Sequence, residues 1–384
     1  MLKFTLMQRS KMLAFPGASS KIAEVVSDGG YSKPFVVFDK GVKSLGIADR
    51  VLSALRSAGI AFEEFSGVVP DPPCDVVDSA AAACRSSGCD CVIAIGGGSS
   101  IDVAKGVSVL RFNGGGILDY ADPSVPMARC PGLISVPTTA GTGSELSNGI
   151  IITDPRTGSK VPIVGDKAMS EYVILDPELT LGMPPGLTAM TGLDVFSHAL
   201  EAYTTVLAGP MTDIVCEKLM QDVAEFLPRA VADGGDLEAR QRMLCCASLG
   251  GWMLANCCAH VGHSLAHVIG ARFHVPHGAA CAYACPAMMR FIAPAAPEKV
   301  RRAGEILGAR FDGSEGPAEI AEKSAEAYSR FCEGLGLQPA SELGISRDAA
   351  AALAREVSEE CFAGLTPRKV SEADARAMLE DVFG

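Results

Sequence analysis

A pattern of buried strands runs through the first half of the chain and then stops. Short apolar runs at residues 34–38 (PFVVF), 91–95 (CVIAI), 133–136 (LISV) and 172–175 (YVIL) have the length of strands covered on both faces. Helical patterns separate the early runs, at residues 47–58 and 76–87. Short apolar strands alternating with helices predict a parallel sheet with helices on both sides. Pro184-Pro185-Gly186 marks a break. Beyond it a 3.6-residue period takes over at residues 187–205, 211–231, 237–258 and 317–335, with shorter helices near 297–307, 346–362 and 371–383. Gly234-Gly235, Gly308 and Pro339 punctuate them. The expected organisation is an α/β domain over residues 1–183 and an all-α domain over residues 184–384.

Composition narrows the partners. At 384 residues the chain exceeds what one core usually holds, which agrees with two domains. A net charge of −12 lacks the field that holds phosphate backbones, so nucleic acid is not an expected partner. The 14 cysteines include no CxxC pair, which excludes zinc-ribbon and thioredoxin readings. In a chain with this much core they read as reduced, buried thiols of a cytoplasmic protein. The first twenty residues scatter Lys and Arg among their apolar residues, so no signal peptide is expected. Residues 243–271 hold no Asp, Glu, Lys or Arg, yet include Asn256, His260, His263 and His267. Polar groups are costly in lipid, so a buried helix pair is expected there and not a membrane span.

Two loops follow strands in the first half. Residues 91–105 read CVIAI-GGGSS-IDVAK: a strand, then Gly96, Gly97 and Gly98, then a helix opened by Ser99 or Ser100. Glycines let the backbone approach a phosphate, and the helix N-terminus offers free N–H groups and a positive dipole end. The pattern is not GxGxxG, because Ile101 occupies the third glycine's place. Residues 137–145, PTTAGTGSE, add hydroxyls and bare backbone suited to ribose, phosphate or amide groups. Asp39 ends the first apolar run, where a carboxylate can accept from an adenosine ribose and repel a 2′-phosphate. A Rossmann-like domain binding NAD is expected.

All six histidines fall between positions 198 and 277. Asp194 and His198 are spaced i,i+4, which puts both on one helix face. His263 and His267 repeat the spacing, and His277 follows on a turn led by Pro276. Three imidazoles and a carboxylate suit a first-row divalent ion such as Fe(II), Zn or Mn.

GGGSSIDVAK at 96–105, PTTAGTGSE at 137–145, GLDVFSHALEAY at 192–203 and HSLAHVIG with HVPHG at 263–278 occur in order, and TPRKVSEADARAMLEDVF closes the chain. In these segments the sequence resembles the iron-containing (group III) alcohol dehydrogenases, nearly end to end. The resemblance implies a dinucleotide-binding α/β domain, a helical domain and an active site in the cleft between them. It implies metal ligands at Asp194, His198, His263 and His277. It puts cofactor contacts at Asp39, Gly97, Gly98, Ser99, Asp102, Thr138, Thr139, Thr142 and Lys160, with Leu187 beside the nicotinamide. His267 falls where the family has a non-ligand histidine near the substrate.

The activity so implied is metal-dependent, NAD-linked interconversion of a short primary alcohol and its aldehyde. The metal acts as a Lewis acid, and His267 relays a proton. A homodimer is the expected assembly. Glycerol dehydrogenases and dehydroquinate synthases lack this combination of hydroxyl loop and three histidines, and a metal-free maleylacetate reductase-like enzyme would lack the ligand set. A non-catalytic scaffold or filament subunit would have no need of an intact cofactor loop. Departures from the family pattern bear on the substrate: an additional histidine at His260, Leu254 in place of an aromatic, and Gly149 in place of a larger residue. If residues 260–267 form one continuous helix, His260 shares a face with His263 and His267. A polar or anionic tail on the substrate is then expected.

Overall fold

The computed structural model describes residues 5–384, so the first four residues of the stretch read for a signal segment lie outside it. The chain divides into two compact units, Met7–Gly182 and Met183–Gly384, with Thr5 and Leu6 joining the second. The first unit has strands β1 Lys11–Ala14, β2 Pro34–Asp39, β3 Glu63–Val68, β4 Cys91–Gly96, β5 Leu133–Pro137, β6 Gly149–Asp154, β7 Ser159–Val164 and β8 Tyr172–Leu175. Six of them form one sheet of order β1-β8-β5-β4-β2-β3, parallel throughout. β6 and β7 form a separate antiparallel hairpin.

Side chains alternate across the pleat, and both faces are covered. Phe35, Val37, Val92 and Ala94 join one core; Val36, Phe38, Ile93 and Ile95 join the other. Two buried faces make the sequence of these strands continuously apolar. Each large side chain so buried contributes about 1.5–3 kcal/mol. The four expected strands are the inner four of the sheet. The two that the pattern missed, β1 and β3, are its edges, and β3 (EEFSGV) is mostly exposed. The hairpin was missed as well. Buried and half-buried residues alternate along β6, so it presents no continuous apolar run.

The expected helices of the first unit are present as Ile47–Ser57 and Cys74–Ser87. Among its described residues the second unit has no strand. Helices Pro185–Thr204, Pro210–Ala232, Leu237–Cys257, Pro297–Ile306, Pro317–Gly334 and Glu372–Val382 follow the expected periods. Proline opens four of them, where its fixed φ suits the first turn and its missing N–H costs nothing. The segment 346–362 differs from expectation: it holds two short helices, Arg347–Ala351 and Ala354–Glu359, and then a 3₁₀ turn. His277–Ile292, whose first residue was expected on a turn, is a full helix.

The uncharged stretch 243–271 is a pair of mostly buried helices, Leu237–Cys257 and Val261–Phe273, meeting at 111°. Among the described residues no single helix is long and apolar enough to cross a membrane. Cys258 makes the break, with a φ of 63° that a non-glycine residue adopts only under tertiary constraint.

Candidate active site

In the first unit the chain passes from β3 over β2 to β4, so the strand order reverses beside β2. The crevice beyond the C-terminal ends of strands at such a reversal is where open α/β sheets take ligands. Asp39 ends β2 there and Gly96 ends β4. A Cβ on Gly96 would stand 3.7 Å from Asp39 Oδ2 and only 2.5 Å from Ser100 Oγ, and its φ is +150°. A side chain at Gly97 would meet Thr139 Oγ1 at 3.1 Å, and one at Gly98 would meet Thr142 Cγ2 at 3.0 Å. The glycine and hydroxyl loops therefore face each other across the space left by the missing side chains, tied by Thr138 N donating to Gly96 O at 3.0 Å.

The helix Gly98–Phe112 starts without a side-chain cap, which leaves its first N–H groups open. Ser99 lies in that first turn. Ser100 Oγ and Asp102 Oδ1 are buried without a hydrogen-bond partner. Bare backbone, an uncapped helix start and the free Ser100 hydroxyl fit a dinucleotide pyrophosphate.

Other expected contacts have protein partners. Asp39 Oδ1 accepts from Val42 N and caps a short helix, so this carboxylate is held as well as poised. Asp102 Oδ2 accepts from Ile151 N. Burial pushes Asp102 up to about 6 against the pull of Lys105. Lys105 is itself pushed down to about 8 by burial and donates to Ser147 O, Ser147 Oγ and Gly149 O. Lys160 pairs with Asp71 at 2.8 Å. Gly149 has open space where a Cβ would stand.

In the second unit Asp194 Oδ1 lies 3.4 Å from His198 Nε2 and 3.7 Å from both His263 Nε2 and His277 Nε2. It is buried and has no hydrogen-bond partner. Donors about 2.1 Å from a tetrahedral ion stand roughly 3.4 Å apart, so the spacing fits a divalent cation. Burial opposes charge on Asp194, but His198, His277 and His263 hold its carboxyl well below the usual carboxylate range. Burial pushes His198 down to about 4 and so favours a neutral ring.

Cys281 also reaches this cluster. The donor atoms of Asp194, His263, His277 and Cys281 all lie within 4.8 Å of one another. Burial pushes its thiol up to about 12.

Two carboxylates orient the rings, and sequence reasoning missed both. Glu201 Oε1 accepts from His263 Nδ1 at 2.5 Å, and Oε2 accepts from the backbone N–H groups of His260 and His263. Burial opposes its charge, yet His263 and these bonds hold it down to about 2. A Cβ on Gly262 would stand 2.7 Å from Glu201 Oε1, which explains the glycine. The signal was in the sequence: Asp194, His198 and Glu201 fall at i, i+4 and i+7 on one otherwise apolar helix. Glu360 does the same for His267, at 3.2 Å from its Nδ1, while also accepting from Ser264 Oγ and Phe362 N. A carboxylate on Nδ1 fixes that nitrogen as the donor and leaves Nε2 as the basic atom.

His260 departs from expectation. The helix is broken before it, so it does not continue the face of His263 and His267. Its ring is fully buried, with Nε2 bonded to Thr204 Oγ1 at 2.9 Å. Fully buried and held by Thr204, it is no contact for a substrate tail. Leu254 is half-buried in the last turn of its helix, and Leu187 is 38% exposed at the start of Pro185–Thr204.

The family model for iron-containing alcohol dehydrogenase matches residues 10–177, and that for the C-terminal region of the same family matches residues 188–383. The chain is 35% identical over 360 residues to choline dehydrogenase of Bacillus subtilis (strain 168), covering 93% of this chain and 89% of that one. It is 31% identical over 368 residues to NAD-dependent methanol dehydrogenase of Bacillus methanolicus, covering 96% of each. The crystal structure of a 1,3-propanediol oxidoreductase superposes with a TM-score of 0.94 at 32% identity and covers 100% of both chains. Fold, donor set and likeness define an oxidoreductase of the alcohol dehydrogenase type. The chain belongs to the iron-containing alcohol dehydrogenase family.

Proposed function

We propose that this protein interconverts a short primary alcohol and its aldehyde, using NAD(H) and a divalent ion, with iron(II) the first choice and zinc or manganese as substitutes. The carrying observation is Asp194 Oδ1, buried, unpartnered and surrounded by three imidazole Nε2 atoms. Asp194, His198, His263 and His277 would hold the ion. The glycine and hydroxyl loops, with Ser99, Asp102 and Asp39, would hold the dinucleotide.

When bound, the ion supplies Lewis acidity toward the substrate oxygen and the nicotinamide exchanges hydride with the substrate carbon. The chain's own residues do the rest. Glu201 keeps His263 Nε2 aimed at Asp194. His267, its Nδ1 held by Glu360 and its side chain 20% exposed, takes or releases a proton at Nε2 and passes it to solvent. Asp39 favours NAD(H) by setting a negative charge against a 2′-phosphate.

The relatives' names run from methanol and propanediol to choline and sulfoacetaldehyde, which supports a small alcohol or aldehyde and includes tails of either charge as well as none. The intact donor set and cradle weigh against a non-catalytic scaffold. The same reading takes the enzyme to be a cytoplasmic homodimer, with free thiols throughout in support. Light scattering on the purified protein tests the dimer. The decisive assay follows NADH absorbance with a panel of short aldehydes, with metal analysis of the same sample. Turnover that rises with metal occupancy is expected. A fully loaded protein that consumes no NADH with any of them would end this reading.

A further inference from the structure

Cys281 is buried at 2% exposure one helical turn after His277, so both side chains share a face of His277–Ile292. Its Sγ lies 3.7 Å from His277 Nε2 and 3.8 Å from His263 Nε2. Its donor atom also falls within 4.8 Å of the unpartnered, buried oxygen of Asp194. No other cysteine stands in this cluster among the described residues.

We infer that Cys281 is a further ligand, giving the centre a sulfur donor beside its nitrogen and oxygen donors. The inference rests on reading the cluster as the metal site. As the ion enters, the S–H bond breaks, a bond from Sγ to the ion forms, and the proton leaves to solvent. No electrons are transferred. With Asp194 the thiolate gives the dication two negatively charged donors. A thiolate is a softer donor than imidazole or carboxylate, so Cys281 biases the site toward zinc over iron(II).

The test uses full-length protein stripped of metal and reloaded with Co(II), whose visible bands report coordination and whose near-ultraviolet bands report a bound thiolate. Wild type should bind one equivalent and show the thiolate charge-transfer band. Cys281→Ser should still bind one equivalent and keep visible bands but lose the charge-transfer band, and its zinc-over-iron(II) preference should fall about tenfold. Cys281→Ala should repeat both results, which guards against the serine oxygen acting as a ligand. A charge-transfer band that persists in both variants, or is absent from wild type while the visible bands form, overturns the cysteine ligand and leaves the metal centre standing. Failure of wild type to bind Co(II), with no change on His263→Ala, overturns both.

Discussion

Between β4 and the helix Gly98–Phe112 the chain prepares for a ligand by leaving side chains out. Around Asp194 it does so by packing them in. The first place is local: three consecutive glycines and a loop of threonines meet because neighbouring strands β4 and β5 end side by side. The second draws Asp194 and His198 from one helix, His263 from another and His277 from a third. A cradle of backbone tolerates no added bulk but carries little charge of its own. A cluster of buried imidazole and carboxylate holds its charges only through exact partners, so each member depends on the others.

The largest effect should come from the cluster. His263→Ala removes a donor and the partner of Glu201 together. Bound metal should fall below a tenth of an equivalent, and kcat/KM should drop ~1,000-fold or more, the cost of losing several kcal/mol of Lewis-acid polarisation. NADH binding should not change. Full metal occupancy with normal turnover would remove His263 from the centre.

Gly98→Val should show the reverse. Overpacking against Thr142 costs about 1–3 kcal/mol, so NADH affinity by fluorescence titration should weaken roughly 5- to 150-fold. Metal content should stay at the wild-type level. A joint loss of both ligands would mean that the two places are not independent.

Glu201→Gln probes orientation without removing a donor. Metal affinity, read by competition with a chelator, should fall about 10- to 100-fold. An affinity equal to wild type would make Glu201 only a clamp for the helix start.

Asp39→Asn keeps the helix cap and removes the charge. The ratio of kcat/KM for NADH over NADPH should fall about tenfold, the size of one screened charge interaction, with no loss of thermal stability. A lower melting temperature and an unchanged ratio would leave the cap as its whole role.

The smallest effect concerns pH in metal-stripped protein. Burial pushes His260 down to about 4, whereas the unfolded chain takes up its proton near the ordinary value of about 6.5. The unfolded state binds more protons between those values. The contribution is therefore full above pH 6.5 and is lost as pH falls through 4. His198 titrates over the same window, so His260→Asn should flatten the acid-side fall in melting temperature without abolishing it. Identical slopes for the two proteins would show that His260 does not take part.

What could be read from the sequence follows the same division. The inner strands were legible because both of their faces are buried; the edge strands β1 and β3 were not, because half-exposed strands lack a continuous apolar run. The glycine and threonine loops were legible because their chemistry is contiguous. Asp194, His198, His263 and His277 stood out by residue type and spacing. Glu201 and Glu360 did not, since a glutamate within a helical pattern is usually a solvated one. His260 was misread because nothing in its neighbours announces the positive-φ break at Cys258. Cys281 was passed over among 14 cysteines, and only the fold brings its sulfur within reach of the imidazoles.

An ion held as proposed by Asp194, His198, His263 and His277 would join the three helices that carry them. An ion that binds only the folded chain acts as a removable cross-link, and at a free concentration 100 times its Kd it would add about 2.7 kcal/mol to the folding free energy. Such a gain is a substantial fraction of the stability of an ordinary domain. The lifetime of this protein in a cell would then track the supply of the metal: chains made during scarcity unfold and are degraded sooner, and chains made during plenty persist.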